Sequence, residues 1–179
     1  MSIPFLVVIA LGFVFLFASA LAGLSFAPWV PSRRRDYERA LAFSELKPRE
    51  VLYDLGCGDG RFLFFAASRI PVLAKGIELV FPLAWLAKFR AWRFTGPGTV
   101  NVGWGDLFGA DVSDADVVFL FGMPKTLAGK VRTKLVRELR PGARIISYYF
   151  PLDGLVPDGI SHDAAGQSPI YRYRVGNRV

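Results

Sequence analysis

Histidine and cysteine are almost missing from this chain of 179 residues, which has one of each. With Cys57 alone, no intrachain disulfide can form, and no Cys-based zinc site is expected. His162 lies in a polar, glycine-rich tail and reads as a surface residue rather than a metal ligand or a base. No internal repeat or low-complexity tract is present. Charge is missing too, but only locally: the first 32 residues carry no charged side chain.

That local absence shapes the N-terminus. Residues 3 to 27, IPFLVVIALGFVFLFASALAGLSFA, form an uncharged run of 25 residues in a chain of mean hydropathy +0.35. About 20 apolar residues cross a bilayer core, so the run is long enough to span with some tilt. A cleaved signal peptide has a basic leader and a shorter apolar core. No Lys or Arg precedes this run, although Ala18-Ser19-Ala20 resembles a cleavage site. Residues 1–27 are therefore read as a retained transmembrane anchor, and 28–35 as a basic linker containing Pro28 and Pro31. The cluster Arg33 to Arg35, with Arg39, then places the rest of the chain on the cytoplasmic side of a single-pass membrane protein. The same cluster suits anionic headgroups. A net charge of +7 could also suit nucleic acid, but no nucleic-acid-binding motif accompanies it and none is expected as a partner.

Residues 36–179 have the size of one domain. Helical spacing is read at 36–46, 59–70, 81–94 and 124–139, and strands at 50–55, 71–79, 99–104, 115–122 and 143–150. The alternating segment 169–175 reads as a half-exposed edge strand. Strands alternating with helices predict an α/β fold with a doubly wound, Rossmann-like parallel sheet. Ligands bind such sheets at the strand carboxyl ends.

At the first of those ends stands YDLGCGDGRF, residues 53–62. Gly56, Gly58 and Gly60 allow positive φ and close approach of backbone to a ligand. A dinucleotide fingerprint would be G-x-G-x-x-G, but Arg61 occupies the place of its third glycine. Asp54 and Asp59 flank the turn and would repel a diphosphate, so they suit a ligand with positive charge. A nicotinamide-type Rossmann domain would explain Glu78 but not Asp54, Asp59 or Asp106.

The stretch resembles the first motif of class I S-adenosylmethionine-dependent methyltransferases, an acid followed by x-G-x-G-x-G. The resemblance implies that Asp54 holds the methionine ammonium, with Gly56, Cys57, Gly58, Asp59 and Gly60 against the methionine and ribose. It implies Glu78, in GIEL with Leu79, on the ribose hydroxyls, and Asp106, in GDLF with Leu107 and Phe108, near the adenine. S-adenosylhomocysteine would be the product, and no metal is implied. APWVPS, GIEL, GDLF and RELRPGARIISYYFPL extend the likeness over residues 27–156. It is to the small membrane-associated lysine methyltransferases whose mitochondrial members modify the adenine nucleotide translocase and the ATP synthase c-ring protein. A membrane-embedded protein substrate is implied.

On the acceptor side, Phe121 follows the fourth strand, and Tyr148, Tyr149 and Phe150 follow the fifth. They are candidates to wall a lysine channel by cation–π attraction, with core packing as the alternative. Asn-Pro-Pro-Tyr, carried by methyltransferases acting on adenine or glutamine amides, is replaced by FGMP at 121–124. A lipid headgroup or small molecule is the other acceptor class, and a non-catalytic binding module a third reading. Phe81, Trp85, Phe89 and Trp92 form one helical stripe, read as core against the sheet or as rings at a bilayer interface.

Overall fold

In a computed structural model the described residues are 4–6, 8, 9, 12, 13, 34–122, 124, 127–161 and 168–176. From Arg34 they form α1 (Arg34–Ser44), β1 (Val51–Leu55), α2 (Arg61–Ala67), β2 (Leu73–Glu78), α3 (Phe81–Trp92), β3 (Thr99–Trp104) and β4 (Val117–Leu120). A π-helical turn (Leu127–Val131), α4 (Arg132–Glu138), β5 (Arg144–Tyr148), β6 (Gly159–Ser161) and β7 (Ile170–Arg174) follow. The seven strands make one sheet in the order β3-β2-β1-β4-β5-β7-β6. The first five in that order run parallel, and β7 pairs antiparallel with β5 and β6.

The central strands are apolar because both faces of the sheet are covered. Leu52, Val117, Phe119 and Ile146 point into one core, with Ala40, Phe62 and Leu63 from α1 and α2. Tyr53, Leu55, Val118, Leu120 and Ile145 point into the other, with Leu135 and Leu139 from the α4 side. The strand order reverses between β1 and β4, which puts the β1 turn at the switch point.

Three expectations change. The segment 169–175 is not an edge, since β6 pairs along its outer side. With three residues, β6 is too short to show an alternation. The helix expected over 124–139 is interrupted at Gly129 (φ −99°, ψ −109°), and regular α-helix covers only Arg132–Glu138. The aromatic stripe of α3 is not core. Leu83, Ala84 and Ala87 make the buried side, whereas Phe81, Trp85, Phe89 and Trp92 are 52, 62, 44 and 79% exposed. Two small alanines let the helix sit close to β2 and β3, and the bulky rings turn outward.

Among the described residues no helix is long and apolar enough to cross a membrane. Most of residues 1–33, with Met123 and His162, lie outside the described residues. Residues 4–6, 8, 9, 12 and 13 are helical, and Phe5, Leu6, Val8, Ile9 and Phe13 are exposed. The linker expected over 28–35 ends earlier, because α1 begins at Arg34. Asp36 in its first turn complements the helix dipole and accepts a hydrogen bond from the Tyr148 hydroxyl at 3.0 Å. That bond fastens the start of α1 to the carboxyl end of β5.

Gly76 on β2 sits where a Cβ would lie 2.5 Å from Leu63 Cδ1 and 2.6 Å from Cys57 Sγ. Gly76→Ala is expected to lose about 1–3 kcal/mol in urea unfolding. Gly105→Ala, with nothing within 4 Å of its Cβ, is expected to stay within about 0.5 kcal/mol of the parent.

Candidate active site

After Leu55 the chain turns through three left-handed glycines, Gly56 at φ +82°, Gly58 at +57° and Gly60 at +80°. Side chains are strained in that region, which is why the turn is written in glycine. The turn is hooked onto the neighbouring strand: the Gly56 and Cys57 amides both donate to the Ile77 carbonyl, at 2.9 and 3.1 Å. Gly60 then opens α2, and a Cβ on it would meet the Phe64 ring at 2.8 Å.

Beneath the turn lie two buried carboxyls. Asp54 ends one residue short of Leu55, which pairs with Ile77, and Glu78 follows Ile77 on β2. Glu78 Oε2 accepts from the Gly58 amide at 2.8 Å and Oε1 from the Val80 amide at 2.7 Å. Burial raises its pKa, and those backbone donors hold the rise down. Asp54 is 5% exposed, and burial with the neighbouring Glu78 charge pushes it up to about 8. No cation among the described residues offsets that burial. Cys57 is buried as well, and burial, with Asp54 and Glu78 close by, raises its thiol well above the ordinary value. It is a neutral packing group.

The other expected residues separate. The Asp59 carboxylate is buried but taken by two arginines, Arg61 Nε at 2.9 Å and Arg90 Nη1 at 2.7 Å. Its charge is answered within the protein, so the case for a cationic ligand stands on Asp54 and Glu78. Asp106 is exposed; its Oδ1 accepts from the Phe108 amide at 3.0 Å, and it borders a cleft of about 430 Å³ with Phe108, Lys130 and Arg137. Leu79 is 39% exposed beside this end of the sheet, whereas Leu107 is packed into the second core. Phe108, not Leu107, presents to the cleft.

The aromatic candidates do converge. Phe121 lies 5.9 Å from Tyr148 and 6.3 Å from Phe150, ring centre to ring centre, and Tyr149 lies 4.7 Å from Phe150. Tyr149 is half exposed at φ +75°, an uncommon conformation for a side-chain-bearing residue, and its amide is pinned to the Pro169 carbonyl at 2.8 Å. Two further residues escaped the sequence reading. Arg90 reaches Asp59 across two helices, which no local spacing signals. Trp104 closes β3, packs edge-on at 5.1 Å from Phe81 and donates to the Leu79 carbonyl. Its place just before Asp106 was the available signal.

The strand order and the acid-backed glycine turn define a Rossmann-like methyltransferase that depends on S-adenosylmethionine. Residues 54–159 match the family model described as the ANTKMT methyltransferase domain, and the chain belongs to that family. It is 30% identical over 152 residues to a protein-lysine N-methyltransferase of Saccharolobus islandicus, covering 83% of this chain and 94% of that one. It is 32% identical over 148 residues to the mouse adenine nucleotide translocase lysine N-methyltransferase. There the match covers 83% of this chain but 63% of the mouse protein. Among solved structures, a Salinibacter ruber protein described as an RNA methyltransferase, in complex with S-adenosylhomocysteine, superposes with a TM-score of 0.78 at 33% identity. That likeness covers 84% of this chain and 96% of the other.

The Asp54 pKa has a consequence for stability. Below about pH 4 the carboxyl is neutral in the folded and the unfolded chain. Between there and about pH 8 the unfolded carboxyl ionises while the folded one keeps its proton, so stability falls as pH rises, then levels. Asp54→Asn removes that slope. By calorimetry the variant's melting temperature is expected to match the parent near pH 4 and to exceed it increasingly up to pH 8.

Proposed function

We propose that the chain is a membrane-anchored protein-lysine N-methyltransferase whose catalytic domain lies on the cytoplasmic side. The observation that carries the reading is a buried, uncompensated Asp54 carboxyl beneath a glycine turn, next to a cluster of four aromatic rings. The residues fit the cofactor: an ammonium would supply the cation that Asp54 lacks, and the positive-φ turn brings backbone close to a ligand. S-adenosylmethionine, when bound, supplies a methyl group on a sulfonium that leaves as a neutral thioether.

The rest of the chemistry belongs to this chain. Asp54 takes the ammonium. Glu78, already holding the Gly58 and Val80 amides, offers its remaining acceptor capacity to the ribose hydroxyls. Asp106 and Phe108 flank the adenine end. Phe121, Tyr148, Tyr149 and Phe150 wall the acceptor side, where ring faces attract a lysine cation and exclude water. Desolvation there lowers the lysine pKa from its usual value near 10.4, so the amine gives its proton to bulk water as it enters and needs no dedicated base. Alignment of the amine with the methyl group at about 3–3.5 Å is then the remaining requirement.

The lysine acceptor is supported by the names of the archaeal and mouse relatives, both lysine N-methyltransferases. The anchor is supported by the uncharged 25-residue run and by the arginines after it. The Tyr148–Asp36 bond brings the first turn of α1 beside the aromatic cluster. RNA is the second reading, favoured by the +7 charge and by the name of the Salinibacter ruber relative.

The full chain, incubated with methyl-labelled S-adenosylmethionine, host membranes and host RNA, is expected to label a discrete protein band at lysine. Label in RNA or in the lipid phase instead overturns the lysine reading. Asp54→Ala is expected to abolish label and S-adenosylhomocysteine binding together. Tyr149→Ala is expected to lower kcat/KM about tenfold while leaving S-adenosylhomocysteine affinity unchanged.

A further inference from the structure

The outward face of α3 takes no part in the site just described, yet its composition is specific. Trp85 and Phe89 stack with ring centres 6.3 Å apart and planes 6° from parallel, and Trp92 lies 6.1 Å beyond Phe89. Trp85 and Trp92 are 62 and 79% exposed. Spacings of four and three residues put the three rings on one stripe of the helix.

Cations surround that stripe. Lys88 and Arg93 are exposed, and the Arg93 guanidinium lies 6.0 Å from the Phe89 ring. Behind them a cleft of about 850 Å³ is bordered by Arg61, Arg90, Arg93, Phe89 and Phe94. No Asp or Glu occurs from residue 79 to residue 105. On the neighbouring turn, Asp59 is buried and already paired with Arg61 and Arg90.

We propose that this face is a second membrane contact, separate from the N-terminal run, with the surface of an anionic phospholipid bilayer as its occupant. Trp85, Phe89 and Trp92 sit at the boundary between headgroups and acyl chains, where amphipathic rings concentrate. Lys88 and Arg93 meet lipid phosphates, and the arginine-lined cleft accepts one of them. A second copy of the chain would set the same cations against each other, so charge disfavours it. The contact would fix how the domain lies on the membrane, a constraint that a single point of attachment does not supply, and it does not depend on which acceptor the enzyme uses.

The test uses the full chain in lipid nanodiscs beside its Trp92→Phe variant, so that the Trp92 emission is read by difference. Trp92 emission is expected to be quenched by brominated phosphatidylcholine in discs that also contain phosphatidylglycerol, and less in discs of phosphatidylcholine only. Lys88→Glu with Arg93→Glu is expected to abolish the quenching. Equal emission with brominated and plain lipid overturns the proposal, as does quenching that charge reversal leaves intact, or burial of Trp92 only after a membrane protein is added. S-adenosylhomocysteine binding, measured on each variant, is expected to persist. Its loss throughout, with Trp92 still quenched, would count against the proposed function and not against this surface.

Discussion

The hydrogen bond from the Gly58 amide to the Glu78 carboxylate holds the architecture of the site together. It crosses from the turn after β1 to the end of β2, so a single buried acid sets where the glycine backbone lies. The same acid receives the Val80 amide, which fixes the entry into α3. A carboxylate buried for this purpose raises the cost of ionising its neighbour. Asp54, buried itself and next to that charge, is left protonated near neutrality until a cation arrives. The fold thus stores an unmet electrostatic demand at one point, and the demand selects the sign of the ligand.

Much of this was legible in the amino-acid sequence alone. Acids closing consecutive parallel strands, with glycines between them, announce a cation-seeking site because a strand end has one position from which a side chain can reach a neighbouring turn. Asp54 and Glu78 stand where that logic puts them, and Phe121, Tyr148 and Phe150 cluster because they follow the neighbouring strands β4 and β5. Asp59 did not. Its neutralisation by Arg61 and Arg90 depends on the packing of two helices, and Arg90 is 31 residues away in the chain. Leu107 and Phe108, both expected beside the ligand, part for a similar reason: adjacent residues face opposite ways, and only the loop's path decides which one is buried. The α3 stripe shows the limit of periodicity, which detects a face but not its direction. Two alanines could pack where four rings were expected, and the rings went to the outside.

The domain also joins its two ends through polar contacts. Tyr148, one of the acceptor-side rings, is bonded to Asp36 at the beginning of α1. Arg144, buried at the start of β5, pairs with Glu50 at 2.5 Å and donates to the Glu45 carbonyl at 2.6 Å. Arg172 on β7 reaches both Glu45 and Asp158. The antiparallel β5–β7–β6 edge is thereby tied to the segment that precedes β1, and the aromatic cluster rests on that tied edge. The aromatic cluster and the acid-backed glycine turn therefore sit on different halves of the sheet, which meet at the switch point.

Cys57, sealed between the glycine turn and Gly76, carries a further implication. Oxidants and electrophiles attack the thiolate, and a sulfur kept neutral and shut away from solvent offers them almost none. The chain's lone thiol is therefore a poor redox trip-wire, although it stands in the middle of the glycine turn.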